Sequence, residues 1–114
     1  MPTAPVASRA EIGKPAPDFT LADTDGQNHT LSALKGKAVV LEWFNPGCPF
    51  VKAAHGSGGA LEGMARRVAR DDLVWLSINS GAPGKEGHGL ERNRAARGEY
   101  RLDHPVLLDE AGTV

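Results

Sequence analysis

Cysteine is nearly missing from this 114-residue chain: Cys48 stands alone. One thiol excludes an intramolecular disulfide and any cysteine-rich zinc site. No run of about 18 apolar residues occurs, so no transmembrane helix and no membrane insertion are expected. Neither sign of charge dominates. Thirteen Lys and Arg face 14 Asp and Glu, for a net charge of −1, which leaves no electrostatic case for binding nucleic acid or an anionic membrane. The opening MPTAPVASRAEIG has no apolar stretch of the kind a secretory leader needs. Residues 1–11 read as a flexible Pro/Ala arm, cytoplasmic as written and periplasmic if a leader was removed. Repeats and low-complexity segments are absent beyond that arm.

What remains is ordinary for a folded domain: 40% hydrophobic and 24% charged residues, spread over a length that suits one domain, residues 12–114. The Asp-Gly of TDGQ signals a tight hairpin joining strands at 19–21 and 29–31. AVVLEWF, residues 38–44, is almost continuously apolar, as in a strand buried on both faces of a parallel sheet. LVWLSIN, residues 73–79, is a second such run. Between them, Leu61, Met64, Ala65 and Val68 repeat at helical spacing, with a Glu62–Arg66 pair on the opposite face. The glycines of GSGG, residues 56–59, predict a break before that helix. A weaker helix over residues 90–97 and a short strand in HPVLLD complete the pattern. Strand, helix, strand within about 40 residues defines a βαβ unit and an α/β fold.

Cys48 follows the first strand and precedes a helix that begins with Pro49, a residue favoured at the first helical position. The carboxyl ends of parallel strands are where α/β folds place their ligand sites. Free N–H groups at a helix start favour a thiolate, the nucleophilic form. The alternative is an inert, buried thiol acting as a small hydrophobe. Lys52 lies four residues on, on the same helical face, and is either a partner for a thiolate or a solvated lysine. His55 lies about 10 Å up the helix, too far for a direct pair with Cys48 or a metal shared with it. Glu42 interrupts the first apolar strand. It reads either as a desolvated acid with a raised pKa, able to serve as general base, or as one tied up by a lysine such as Lys37. Asn79 and Ser80 end the second strand on the rim that carries Cys48, where they either bind substrate or cap a turn. APGKEGHG lacks the G-K-[ST] of a phosphate loop and reads as a mobile loop near that rim, with His88 exposed. Trp43, Phe44, Trp75 and Leu76 are assigned to the core. Nothing calls for a cofactor or a metal.

IGKPAPDFTLADTDGQNHTLSALKGKAVVLEWFNPGCPF resembles the opening of thioredoxin-like redoxin domains, the superfamily of alkyl hydroperoxide reductase/thiol-specific antioxidant proteins and envelope thiol–disulfide oxidoreductases. NPGCPFV, VWLSINSGAPGKEGH and LLDEAGTV resemble a single-cysteine subgroup with CPFV at its site. The resemblance spans residues 12–114. It implies a thioredoxin-like fold with an N-terminal β-hairpin, incomplete at the C-terminus, and an antioxidant or thiol–disulfide oxidoreductase activity. The catalytic residues it implies are Cys48 and Glu42, with Asn45, Pro49, Lys52 and Asn79 binding substrate. The partners would be an external thiol reductant, a protein disulfide or a peroxide. Departures stand beside the matches. Val51 replaces the second cysteine of C-x-x-C, and Asn45 holds the place of the peroxiredoxin Thr or Ser. The chain also stops before the cis-proline strand. These departures imply a half-cycle in which an outside thiol resolves Cys48. The alternatives are a non-catalytic binding module, or an inactive partial domain with one bare strand edge and poor behaviour as a monomer.

Overall fold

The computed structural model describes residues 10–114; most of the N-terminal arm lies outside them. Strand β1 (Thr20–Ala22) pairs antiparallel with β2 (Asn28–Thr30). A 3₁₀ turn, Leu31–Leu34, leads to β3 (Ala38–Trp43). Helices α1 (Pro49–His55) and α2 (Met64–Arg67) precede β4 (Leu73–Asn79). Helix α3 (Leu90–Glu99) precedes β5 (Val106–Leu108).

Each strand of the hairpin lies one residue nearer the turn than the sequence predicts. Asp18 explains the shift, because its carboxylate accepts the backbone N–H of Ser32 and so starts the 3₁₀ turn at Leu31. At the turn itself, Gly26 has φ +81°, a conformation that favours glycine. Asp23 organises the loop by accepting N–H groups from Asp25 and Gln27 and the His29 ring at 2.7 Å. Burial pushes its carboxyl up, and these donors outweigh burial, so the pKa falls below the usual range.

Strands β3, β4 and β5 form a parallel sheet in that order, with Ala38 opposite Leu73 and Ser77 opposite Val106. Parallel pairing requires crossovers, and helices supply both. Alternation of side chains then gives the sheet two different faces. One carries Leu76, Ile78 and Leu107, covered by Phe19 and Leu21 of the hairpin together with Leu34 and Val114. The other carries Phe44 and Val106 beneath Val51 of α1 and Ala96 of α3. Among the described residues β3 is paired on one side only.

Two expectations are corrected here. The amphipathic helix over residues 61–68 shrinks to the four residues of α2. Gly58 and Gly63 take positive φ, and a Cβ at Gly59 would lie 2.1 Å from the Ala53 carbonyl oxygen, so the chain folds back onto α1 instead of starting a long helix. Glu62 and Arg66 do not pair there; the Glu62 carboxylate accepts from Gly58 N–H, and Arg66 faces Asp103 at 4.0 Å. Trp43 is also not core: it is 52% exposed at the end of β3, the strand with one unpaired side.

Candidate active site

Phe44 extends β3 by one bond, its N–H donating to the Ile78 carbonyl, and the chain then turns sharply. Asn45 makes the turn. Its Oδ1 accepts Gly47 N–H at 2.8 Å and its carbonyl accepts Cys48 N–H at 3.0 Å. An Asn side chain that mimics a backbone turn in this way is a local, sequence-encoded device. Cys48 is the residue that caps α1, with Pro49 following and its carbonyl accepting Lys52 N–H. The sulfur makes no capping bond and is half-buried.

Cys48 lines an open cleft of about 640 Å³ with Trp43, Phe44, Asn45, Asn79 and Ser80. Lys85 and Glu86 also line it. Of the six residues that the sequence singles out, Cys48, Asn45 and Asn79 meet in this cleft. Pro49 and Lys52 are exposed and outside its lining, and Glu42 lies elsewhere. Phe50, in the first turn of α1, is 84% exposed and is not among the residues that line the cleft.

Loop 81–89 is fastened rather than loose. Buried Asn79 donates to the Gly87 carbonyl and to Asn93 Oδ1, both at 2.9 Å, and accepts Gly81 N–H at 2.7 Å. Asn93, fully buried in α3, donates to the carbonyls of Gly87 and Gly89. His88 is partly covered, with Nδ1 2.9 Å from the Gly81 carbonyl oxygen. Gly87 has φ +77°, and a Cβ there would collide with Asn45 Oδ1 at 1.9 Å, so the loop and the cysteine turn are fitted to one another. Asn93→Ala should therefore cost about 2–3 kcal/mol by leaving buried carbonyls and Asn79 short of partners. It should also raise proteolytic cleavage within residues 81–89. Denaturant titration and limited proteolysis check both effects, and an unchanged cleavage pattern would contradict the fastening.

Glu42 corrects the expectation of a raised pKa beside the thiol. It points onto the helix-covered face of the sheet, where its Oε2 meets His55 Nε2 at 2.5 Å. Its Oε1 accepts Trp75 Nε1–H at 2.9 Å and Ser77 Oγ–H at 3.3 Å. Burial pushes the carboxyl up, but the donors from His55 and Trp75 outweigh it and the pKa falls below the ordinary value. Lys37 takes no part, being exposed and unpaired with any described carboxylate. Trp75 belongs to this polar group as much as to the core.

The network continues to His104, whose Nε2 is 2.8 Å from Ser77 Oγ. Ser77 has one proton; when it donates to Glu42, it accepts from His104, whose Nδ1 is then a bare, buried lone pair. Burial, against the opposing pull of Glu42, lowers the His104 pKa to about 4. An unfolded histidine titrates near 6.5, so the unfolded chain binds more protons between about pH 6.5 and 4. Stability should therefore fall as pH drops through that window, by about 3 kcal/mol at most. Glu42, Asp23 and Asp109, all lowered, contribute stability that is lost at still lower pH. Urea melts of wild type and His104→Phe from pH 7.5 to 4 test this, the variant showing a shallower fall.

The redoxin family model matches residues 11–114. The chain belongs to the redoxin family. This redoxin is 29% identical over 115 residues to a chloroplastic peroxiredoxin Q of Suaeda salsa, covering 97% of this chain and 48% of that protein. It is 30% identical over 100 residues to the thioredoxin-like protein YneN of Bacillus subtilis, covering 88% and 55%. Its fold is similar to that of a hypothetical protein from Sinorhizobium meliloti 1021, with a TM-score of 0.72 and 30% identity over 89% of this chain and 55% of the other. The chain thus spans about half the length of the curated relatives it matches. It is similar too to the exposed lipoprotein thioredoxin of Streptococcus pneumoniae strain TIGR4, with a TM-score of 0.64 and 30% identity over 84% of this chain and 68% of the other. The fold is therefore thioredoxin-like α/β, and no helix among the described residues is long and apolar enough to cross a membrane.

Sequence reasoning missed four contributors to this redoxin's architecture: His55, His104, Asn93 and Glu86. A buried histidine has no local signature, and helical spacing relates His55 to Cys48 but says nothing of Glu42 on the preceding strand. The exposed-looking loop 81–89 concealed Glu86, which packs over Gly47 with its Oε1 3.4 Å from Asn45 Nδ2.

Proposed function

We propose that this redoxin is a thiol-dependent redox protein in which Cys48 is the single reacting group. The observation that carries the reading is the position of Cys48 in an open cleft at the carboxyl rim of a parallel sheet, with its sulfur uncommitted to any capping bond. Against a disulfide, the Cys48 thiolate attacks one sulfur and forms a mixed disulfide, while the other sulfur leaves as a thiolate. An external thiolate then attacks the mixed disulfide and frees Cys48. Against a peroxide, the thiolate attacks the terminal oxygen and takes its OH group to become a sulfenic acid, as the O–O bond breaks and hydroxide or alkoxide leaves. An external thiol condenses with the sulfenic acid, releasing water, and a second thiol reduces the resulting disulfide. Asn45 shapes the turn that presents the sulfur, Asn79 anchors loop 81–89, and Trp43 offers apolar surface in the cleft. Lys52 and Pro49 act through the helix start rather than by touching substrate.

The names of the relatives support both substrate classes, peroxiredoxin Q for peroxide and thioredoxin-like protein for disulfide. Cys48→Ser with an external dithiol as reductant tests the proposal: turnover of hydrogen peroxide or of a protein disulfide should vanish. A second reading, a binding module using the same rim, draws on the engagement of Glu42 by His55, Trp75 and Ser77, which leaves both of its oxygens committed away from the thiol. Under that reading Cys48→Ser would leave partner binding and all measured function intact.

A further inference from the structure

Helix α1 carries Cys48 at its head, yet His55 at its foot is its only buried residue. Pro49, Phe50, Lys52 and Ala53 are exposed, and Val51 and Ala54 are partly covered. The helix is seven residues long, too short to be stable by itself. Its seat on the sheet therefore depends on Val51, which packs on the Phe44 cluster, and on His55. The His55 ring lies edge-on to Phe44, with centroids 5.4 Å apart, and 5.7 Å from the ring of Tyr100. Its Nε2 reaches Glu42 Oε2 at 2.5 Å with 3% and 12% of the two side chains exposed.

Glu42 comes six residues before Cys48, and His55 seven after it. Strand β3, the Asn-Pro-Gly turn and α1 thus form a closed β–α unit with the thiol at its apex and the Glu42–His55 bond across its base. We propose that His55 is a positioning residue for Cys48, pinning the foot of α1 to β3 so that the sulfur is held in the rim cleft. This rests on the redox reading of Cys48 given above. The ionised carboxylate accepts only, so His55 donates through Nε2. Trp75 and Ser77 from β4 hold the carboxylate as well, with His104 before β5 bonded to Ser77 behind them, making the base of the unit rigid while its apex stays open to solvent. Glu42 serves the thiol by holding its helix and not by taking its proton.

The test compares wild type, His55→Ala and His55→Gln, the last retaining an N–H donor. Two quantities are read: the second-order rate of Cys48 with 5,5′-dithiobis(2-nitrobenzoate), and amide hydrogen exchange across the chain. In His55→Ala the rate should fall about tenfold toward that of free cysteine. Exchange should accelerate at residues 52–56 while the β1–β2 hairpin keeps its protection, and His55→Gln should recover most of both. If His55→Ala does not fold, His55→Leu, which fills the same space but lacks the donor, replaces it, with exchange of α1 and thiol rate expected to change together. Unchanged α1 protection or an unchanged thiol rate in a folded variant lacking the bond overturns the proposal. Should wild-type Cys48 react no faster than free cysteine, the redox reading fails, and the exchange arm alone still decides whether His55 pins the helix.

Discussion

Glu42→Ala is expected to destabilise the domain by about 3–5 kcal/mol, the largest loss of any single substitution considered. Three side chains donate to this carboxylate, and two of them, His55 and Ser77, are buried. Removing it strands their N–H and O–H groups in a place water does not reach, which costs more than the bonds themselves contributed. The intact pair is weak evidence of net stabilisation, since burying a charge is itself costly; the large effect comes from breaking one side. Against a typical domain stability of about 5–15 kcal/mol, such a loss leaves a substantial unfolded fraction at moderate temperature. Urea titration at pH 7 followed by tryptophan fluorescence measures it. A loss under about 1 kcal/mol would mean the carboxylate is not the hub of the network.

The second large effect is on chemistry and not on folding. Cys48→Ser replaces a half-buried sulfur that no hydrogen bond holds with a hydroxyl of similar shape. Stability should change by less than about 1 kcal/mol, because Cys48 makes no side-chain capping bond that could be lost and serine is a favoured residue at this cap position. Reduction of peroxide or protein disulfide should drop at least a thousandfold, because no other described residue can form the covalent intermediate. The combination matters: activity lost with the melt preserved assigns the thiol a chemical role. Activity kept in Cys48→Ser would remove the redox mechanism and leave the binding reading.

The contrast between these two residues shows how much the chain discloses before folding. The strands β3 and β4 were readable because their valines, leucines and isoleucine run almost unbroken, the mark of a sheet covered on both sides. Cys48 was readable for a similar reason: Asn-Pro-Gly ends the strand and Pro49 starts the helix, so the turn and its cap are local. The partner of Glu42 was not. Strand periodicity places Glu42 on the helix-covered face, but only the crossover decides that His55, 13 residues later, lies across from it. His104 is further still, and its approach to Ser77 depends on β5 joining the sheet. Trp43 departs from the expected core because hydrophobicity reports a tendency to be covered, while the position of β3 at one side of the described sheet leaves that ring without enough neighbours. Helix α2 was misjudged because helical spacing says nothing about Gly59 having to pass within contact of the Ala53 carbonyl.

Loop 81–89 makes the same point from the opposite direction. Its Gly/Pro-rich composition suggests mobility, yet two buried asparagines from β4 and α3 hold its backbone. Composition reports the freedom of the unfolded segment. It does not report the donors that distant elements bring.

The most direct measurement is the rate at which Cys48 of the folded wild type forms a mixed disulfide, followed by intact mass under stoichiometric 5,5′-dithiobis(2-nitrobenzoate) at pH 7. A rate at least tenfold above free cysteine, with full release by added dithiothreitol, is the expected result. A rate equal to or below that of free cysteine would contradict a reactive thiol at this rim.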